Sequence, residues 1–184
     1  MAETKKEFLT FVLGKEEFAV EIMRVQEIKG WEAPNPLPNV PDYVKGVVDL
    51  RGMIVPIIDL RSKFNLPAIY DNTTVVIVVH VLTRKGERVV GLVVDAVSDV
   101  HAFNVDNLQP APDISNSIEN QYVLGLTSIR EGEGQSSAKV SKEKSEFVRG
   151  KDRMVVVIDL DKLAQEGLID DIMRNTENMP TGNG

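Results

Sequence analysis

A mostly β fold is predicted from three observations. Valine supplies 26 of the 184 residues while aromatics make up only 5% of the chain, and β-branched side chains at that density suit a pleated, half-buried surface. The apolar residues fall in short runs broken by glycine and lysine, which is the spacing of strands and hairpins. The second half then repeats the landmarks of the first in the same order. Two tandem β modules are therefore expected, 8–70 and 71–165, each of about five antiparallel strands closed into a small barrel that leaves few edges open.

The elements follow in order. Residues 1–7 are expected to be a flexible tail. Phe8 to Leu13 and Glu17 to Ile22 form a first hairpin around Gly14-Lys15-Glu16. Ile22, Val25 and Ile28 recur three apart, which predicts one or two helical turns ended at Gly30. Residues 33–41 hold four prolines, and each pushes its predecessor toward extended geometry, so this is a rigid loop. Val44 to Leu50 and Met53 to Ile58 bracket Arg51-Gly52, a hairpin turn that uses the freedom of glycine. Asp59 then suits the N-cap of a short helix carrying Arg61 to Phe64.

In the second half, Val75 to Leu82 and Arg88 to Val94 form another hairpin, and Val97-Ser98-Asp99-Val100 at the strand exit echoes Val25-Gln26-Glu27-Ile28. A polar loop, 104–118, follows. Tyr122 to Arg130 matches Tyr43 to Arg51 at Tyr, Val, Gly and Arg, and Val155 to Leu160 answers Val55 to Leu60, including the capping aspartate, Asp159. Leu160, Leu163 and Ala164, continued by Leu168, Ile169 and Ile172, predict a C-terminal helix with a frayed end within 166–184. One segment breaks the repeat: residues 131–152 lie where the first copy has only Gly52, and they are rich in Gly, Ser, Lys and Glu. A flexible hairpin insertion is expected there.

Several functions are disfavoured. Lys+Arg 21 against Asp+Glu 28 leaves a net charge of −7, so no global basic field gathers nucleic acid. With no cysteine, disulfides, thiolate nucleophiles and thiolate zinc sites are absent. The N-terminal residues carry no apolar run, and Val75 to Leu82 is far too short to span a bilayer, so a cytoplasmic protein without direct membrane insertion is expected. His80 and His101 lie in or beside strands with no partner pattern, and no metal site is expected. Asp59, Asp159, Asp95 and Asp99 have capping or strand-exit roles that explain them. No phosphate loop, nucleophile elbow or dinucleotide fingerprint occurs, and the chain is expected to be no enzyme, with no catalytic residues and no cofactor.

Surface recognition remains. Arg51 offers a planar, permanently charged fork at a tight turn. Val25, Ile28, Val97 and Val100 hold equivalent positions in the two copies and are either plain core or the lining of a groove between modules, one that would take a partner helix with Arg51 and Glu27 as its polar rim.

The string from Val44 through Arg61, with Lys63-Phe64, resembles the CheW family of chemotaxis coupling proteins. Phe18 to Ile22 followed by Val25 to Ile28, Val89 to Asp95 followed by Val97 to Val100, and Asp152-Arg153-Met154 extend the resemblance over residues 7 to 165. It implies two five-stranded SH3-like barrels around a shared aliphatic core, with terminal strands able to exchange between barrels. It also implies a non-enzymatic adaptor joining the cytoplasmic signalling helices of chemoreceptors to the regulatory domain of the histidine kinase CheA, as a monomer that enters large membrane-associated arrays. The alternatives are a CheW-like scaffold of a different chemosensory output, such as pili, and, ranked below it, a small-barrel nucleic-acid-binding protein. The family's receptor-binding residues map onto Val25, Glu27, Ile28, Arg51, Val97 and Val100, and a partner-binding turn onto Gly46, Asp49 and Gly52. Two departures stand out: Asp49 replaces the family's common Asn and is expected to pair with Arg51, and the insertion 131–152 lengthens a hairpin usually kept short.

Overall fold

The computed structural model describes residues 5–110, 122–129 and 153–164, with positions 169 and 172. Among the described residues ten strands carry the fold: β1 (Lys5–Leu13), β2 (Glu16–Glu21), β3 (Val25–Gly30), β4 (Val44–Leu50), β5 (Met53–Asp59), β6 (Val75–Thr83), β7 (Gly86–Val94), β8 (Ala96–Asn104), β9 (Val123–Ile129) and β10 (Arg153–Ile158). Two short helices follow β5 and β10, α1 (Leu60–Lys63) and α2 (Leu160–Ala164). The insertion 131–152 lies outside the described residues, as do 1–4 and most of 166–184; Ile169 and Ile172 are helical and buried.

Two local expectations are corrected. Residues 5–7 are not a tail, because they pair with Ala102 to Asn104 at the end of β8. The helical turns expected from Ile22, Val25 and Ile28 shrink to a single 3₁₀ turn over Ile22–Arg24, and Val25 to Gly30 is strand. The spacing of three has another cause. Val25 pairs Val79 and Glu27 pairs Val78, so Gln26 is an extra, bulged residue that returns Ile28 to the face of Val25.

The strands form two five-stranded sheets, ordered β8-β1-β2-β10-β9 and β3-β6-β7-β5-β4. A boundary between 70 and 71 does not separate them: hairpin β1–β2 joins β8, β9 and β10 of the second half, and hairpin β6–β7 joins β3, β4 and β5 of the first. The two exchanges use the same device, a parallel pairing of β2 with β10 and of β7 with β5.

Five flat strands would hold their edges about 19 Å apart. Yet Phe103 of edge strand β8 and Ile129 of edge strand β9 share one small cluster with Phe8, Ala19, Val155 and Val157, so this sheet is rolled. In the other sheet Trp31, directly after β3, meets Leu50 of β4 over Val55, Ile57, Val76, Val78 and Val93. The opposite faces of both sheets converge on one larger cluster containing Phe11, Leu13, Phe18, Val20, Ile58, Ile77, Val79, Leu92 and Ile158. Burial on both faces explains why runs such as Val75 to Val79 are continuously apolar.

The repeat is visible as geometry. Asp59 N–H donates to the Tyr43 carbonyl at 2.8 Å, and Asp159 N–H to the Tyr122 carbonyl at 2.9 Å. The Lys63 ammonium lies 4.3 Å from the Tyr43 ring centre and 5.2 Å from that of Tyr122.

One polar cluster has a fully buried ion pair at its centre. Arg61 and Asp59 have no exposed side-chain surface. Asp59 caps α1 by accepting from the Arg61 N–H at 2.9 Å, and it also accepts from the Arg61 Nε and Nη2, each at 3.0 Å, and from the Tyr70 hydroxyl at 2.6 Å. Arg61 Nη1 donates to Asp95 Oδ1 at 2.8 Å and to the Ile69 carbonyl at 2.7 Å, while Asp95 Oδ2 accepts from Gly14 N–H in the β1–β2 turn at 2.6 Å. Burial alone would raise the Asp59 carboxyl, but the hydrogen bonds from Arg61 and Tyr70 and the Arg61 charge outweigh it and hold it below its ordinary range. At the equivalent place after β10 the charges are reversed: Asp161 receives both terminal nitrogens of Arg24, at 3.0 and 2.7 Å, and the Leu82 N–H at 2.9 Å.

Two predictions follow from the polar clusters. Arg61→Met leaves two carboxylates without their counter-ion and is expected to cost about 3–5 kcal/mol in urea unfolding, whereas Arg24→Met, at a half-exposed pair, costs about 1 kcal/mol. The folded pKa of Asp59 is depressed, so its contribution is complete above the unfolded value of about 3.9 and is lost as pH falls through the folded value. The urea midpoint should therefore drop on acidification below about pH 4, and Asp59→Asn should flatten part of that slope.

Candidate functional site

The turn between β4 and β5 is a two-residue loop. Leu50 pairs Met53, and Arg51 and Gly52 have φ of 54° and 86°, the left-handed geometry that matches strand twist in tight hairpins. Gly52 adopts it freely, whereas Arg51 pays about 1 kcal/mol for its Cβ. Asp49 does not pair with Arg51, contrary to expectation. Its Oδ1 accepts the Gly52 N–H at 2.7 Å and braces the turn. Arg51 reaches Glu27 instead, with Nη2 3.0 Å from Oε2. The Arg51 side chain is 71% exposed and Glu27 27%, and the second Glu27 oxygen is buried with no hydrogen-bond partner among the described residues.

Gly46 is not part of this exposed turn. It is buried in β4 at φ 143°, and a Cβ there would overlap the carbonyl of Asn35. Asn35, between Pro34 and Pro36, exchanges two 2.9 Å backbone hydrogen bonds with Val47, so the proline-rich loop caps the open edge of β4. Gly125 has the matching place beneath Leu108 and Gln109 on β9.

The four aliphatic candidates sit on the two edge strands β3 and β8. Val97 pairs Phe11 and Val100 pairs Leu9, with a bulge between, just as Val25 and Ile28 flank the bulge at Gln26. Val97-Ser98-Asp99-Val100 is thus inside a nine-residue strand, not at a strand exit. The reading as plain core fits only half of the set. Val25 and Val97 are half-buried against the cluster between the sheets, while Ile28 is 45% and Val100 38% exposed. Glu27 and Arg51 lie with Ile28 on the β3 side.

His80 and His101 stand on different sheets. His80 Nδ1 is 3.0 Å from Glu87 Oε1 across the β6–β7 hairpin, and His101 stacks on Phe103. The buried carboxylate of Asp59 and the part-buried one of Asp95 are both engaged by Arg61. The residues missed by sequence reasoning are Thr10, Gln26 and Arg24; the strand spacing of three in Val25-x-x-Ile28 and Val97-x-x-Val100 was the available signal for two bulges.

The family model described as CheW-like domain matches residues 7–167. The chain belongs to this family. It is 38% identical over 174 residues to the chemotaxis protein CheW of Klebsiella aerogenes, covering 92% of this chain and 90% of that one. It is 40% identical over 124 residues to CheW of Rhizobium meliloti, covering 67% and 78%. The crystal structure of the scaffolding protein TtCheW from Thermoanaerobacter tengcongensis superposes with a TM-score of 0.67 at 24% identity, over 88% of this chain and 89% of that one. The CheW architecture of two SH3-like barrels is therefore the architecture of this chain, with the hairpin exchange described above.

Two substitutions separate conformation from contact. Arg51→Ala and Arg51→Gly both remove the ion pair, but only glycine relieves the left-handed backbone, so the glycine variant is expected to be more stable than the alanine variant by about 1 kcal/mol in urea unfolding. Gly46→Ala should destabilise the fold itself, by at least about 2 kcal/mol, since the obstructing atom is backbone.

Proposed function

We propose that this chain is a non-enzymatic coupling adaptor of chemosensory signalling, a CheW-family scaffold that links chemoreceptor signalling helices to the regulatory domain of the histidine kinase CheA. Family membership over residues 7–167 carries this reading. The adaptor works on the cytoplasmic side, as a monomer recruited into receptor arrays; no helix among the described residues is long and apolar enough to cross a membrane.

The receptor surface is formed by Val25, Glu27, Ile28 and Arg51 on one side and by Val97 and Val100 on the other. Ile28 and Val100 present exposed aliphatic surface next to half-buried Val25 and Val97, a pattern that accepts the anchor residues of an amphipathic helix. Arg51 and Glu27 add a polar rim. The Asp49-Arg51-Gly52 turn fixes where the guanidinium starts, and Gly46 acts on any partner only through the loop that it lets pack. A pathway other than flagellar steering would use the same surface.

The test is binding of a soluble chemoreceptor signalling fragment to the purified protein. Arg51→Ala and Ile28→Asp, both at exposed positions, should weaken binding about tenfold or more with unfolding midpoints close to wild type. Unchanged binding and unchanged kinase activation in both variants would remove this surface from the account.

A further inference from the structure

Residues three apart on a regular strand point to opposite faces. Val97 and Val100 share a face only because β8 carries an extra residue between them, opposite Thr10: Val97 pairs Phe11, Val100 pairs Leu9, and Ser98 with Asp99 faces the single residue Thr10. A bulged residue loses its ladder partners, and buried backbone groups left unpaired are costly. Here the Thr10 hydroxyl replaces the ladder. It accepts from the Asp99 N–H at 3.1 Å and lies 3.0 Å from the Asp99 carbonyl, to which it donates. The Asp99 carboxylate folds back onto the Val100 N–H at 2.8 Å. Thr10 itself is wholly buried on β1, an interior strand of its sheet. The bulge of β3 has no such clamp, since the residue opposite it is Val78.

We propose that Thr10 is a positioning residue for the receptor surface: its hydroxyl fixes the β8 bulge that turns Val97 and Val100 to the same side. The proposal rests on the assignment of that surface to a receptor helix. Without the hydroxyl, β8 can slip by one residue beyond Val97, and a slip of one sends Val100 to the opposite face.

The test compares Thr10→Val, which keeps the shape and loses the hydroxyl, with Thr10→Ser, which keeps the hydroxyl and loses a methyl group. Two quantities are measured on the full chain: affinity for a soluble receptor signalling fragment, and hydrogen exchange at the Asp99 amide in the free protein. Thr10→Val is expected to bind about fivefold to tenfold more weakly and to exchange faster at Asp99, while Thr10→Ser stays within about twofold of wild type in both. A role in packing alone reverses the order, with Ser worse than Val, and that result overturns the proposal, as does wild-type behaviour of Thr10→Val. If Thr10→Val does not fold, Thr10→Ala against Thr10→Ser reads the same hydroxyl. Val100→Asp separates the two layers. If it leaves receptor binding intact together with Ile28→Asp, the surface assignment fails and the positioning role falls with it, even where Asp99 exchange still reports the clamp. If both weaken binding but Thr10→Val does not, only the positioning role falls.

Discussion

A guanidinium with no solvent contact has to find acceptors for its donors inside the protein, and Arg61 finds them on several elements at once. Asp59 comes from the junction of β5 and α1, the Ile69 carbonyl from the following loop, and Asp95 from the link between β7 and β8. The other oxygen of Asp95 holds the turn of the β1–β2 hairpin, which belongs to the opposite sheet. One cation thereby ties the two rolled sheets together across their shared core. Arg24 and Asp161 repeat the tie with the charges exchanged, from α2 to the β6 end of the other hairpin. A buried pair of this kind contributes little net stability against a well-packed apolar substitute. What it restricts is geometry, because the carboxylates accept only one placement of the hairpins.

That restriction matters for recognition because the candidate surface is divided between the sheets. Ile28 and Val25 belong to the edge of one, Val100 and Val97 to the edge of the other, and both edges rest on the same apolar cluster. One bulge sets Val25 and Ile28 on one face of β3 and another sets Val97 and Val100 on one face of β8, and the strained turn at Arg51 brings a charge to Glu27 of β3. A surface set in advance by core packing loses little conformational entropy when a helix docks on it. The net charge of −7 does not oppose such a partner, since the proposed contact is aliphatic with a single local arginine.

Strand-rich character, the hairpins, the Asp59 cap and the internal repeat were legible because each leaves a local mark: valine runs, Gly-containing turns, and a Tyr-x-x-Gly pattern ending at an aspartate. Exchange between the sheets was implied for terminal strands by the family resemblance alone, since the pairing of β2 with β10 joins residues far apart in sequence and leaves no local signature. The β3 bulge resembles a helical turn in sequence because an i, i+3 spacing is ambiguous until the opposing strand is known. Asp49 neighbours Arg51 along the chain, but it accepts from the Gly52 N–H, and Glu27 takes the arginine from another strand. Gly46 looked like a contact residue until Asn35 was placed above it.

The central claim is that one surface, assembled from both sheet edges, receives the receptor helix. Hydrogen–deuterium exchange of the adaptor with and without a receptor signalling fragment tests this most directly. The account predicts protection confined to segments 25–28, 51–52 and 97–100 together, with β9 and β10 unchanged. Protection on only one of the two edge strands, or on β9 and β10 instead, would contradict it.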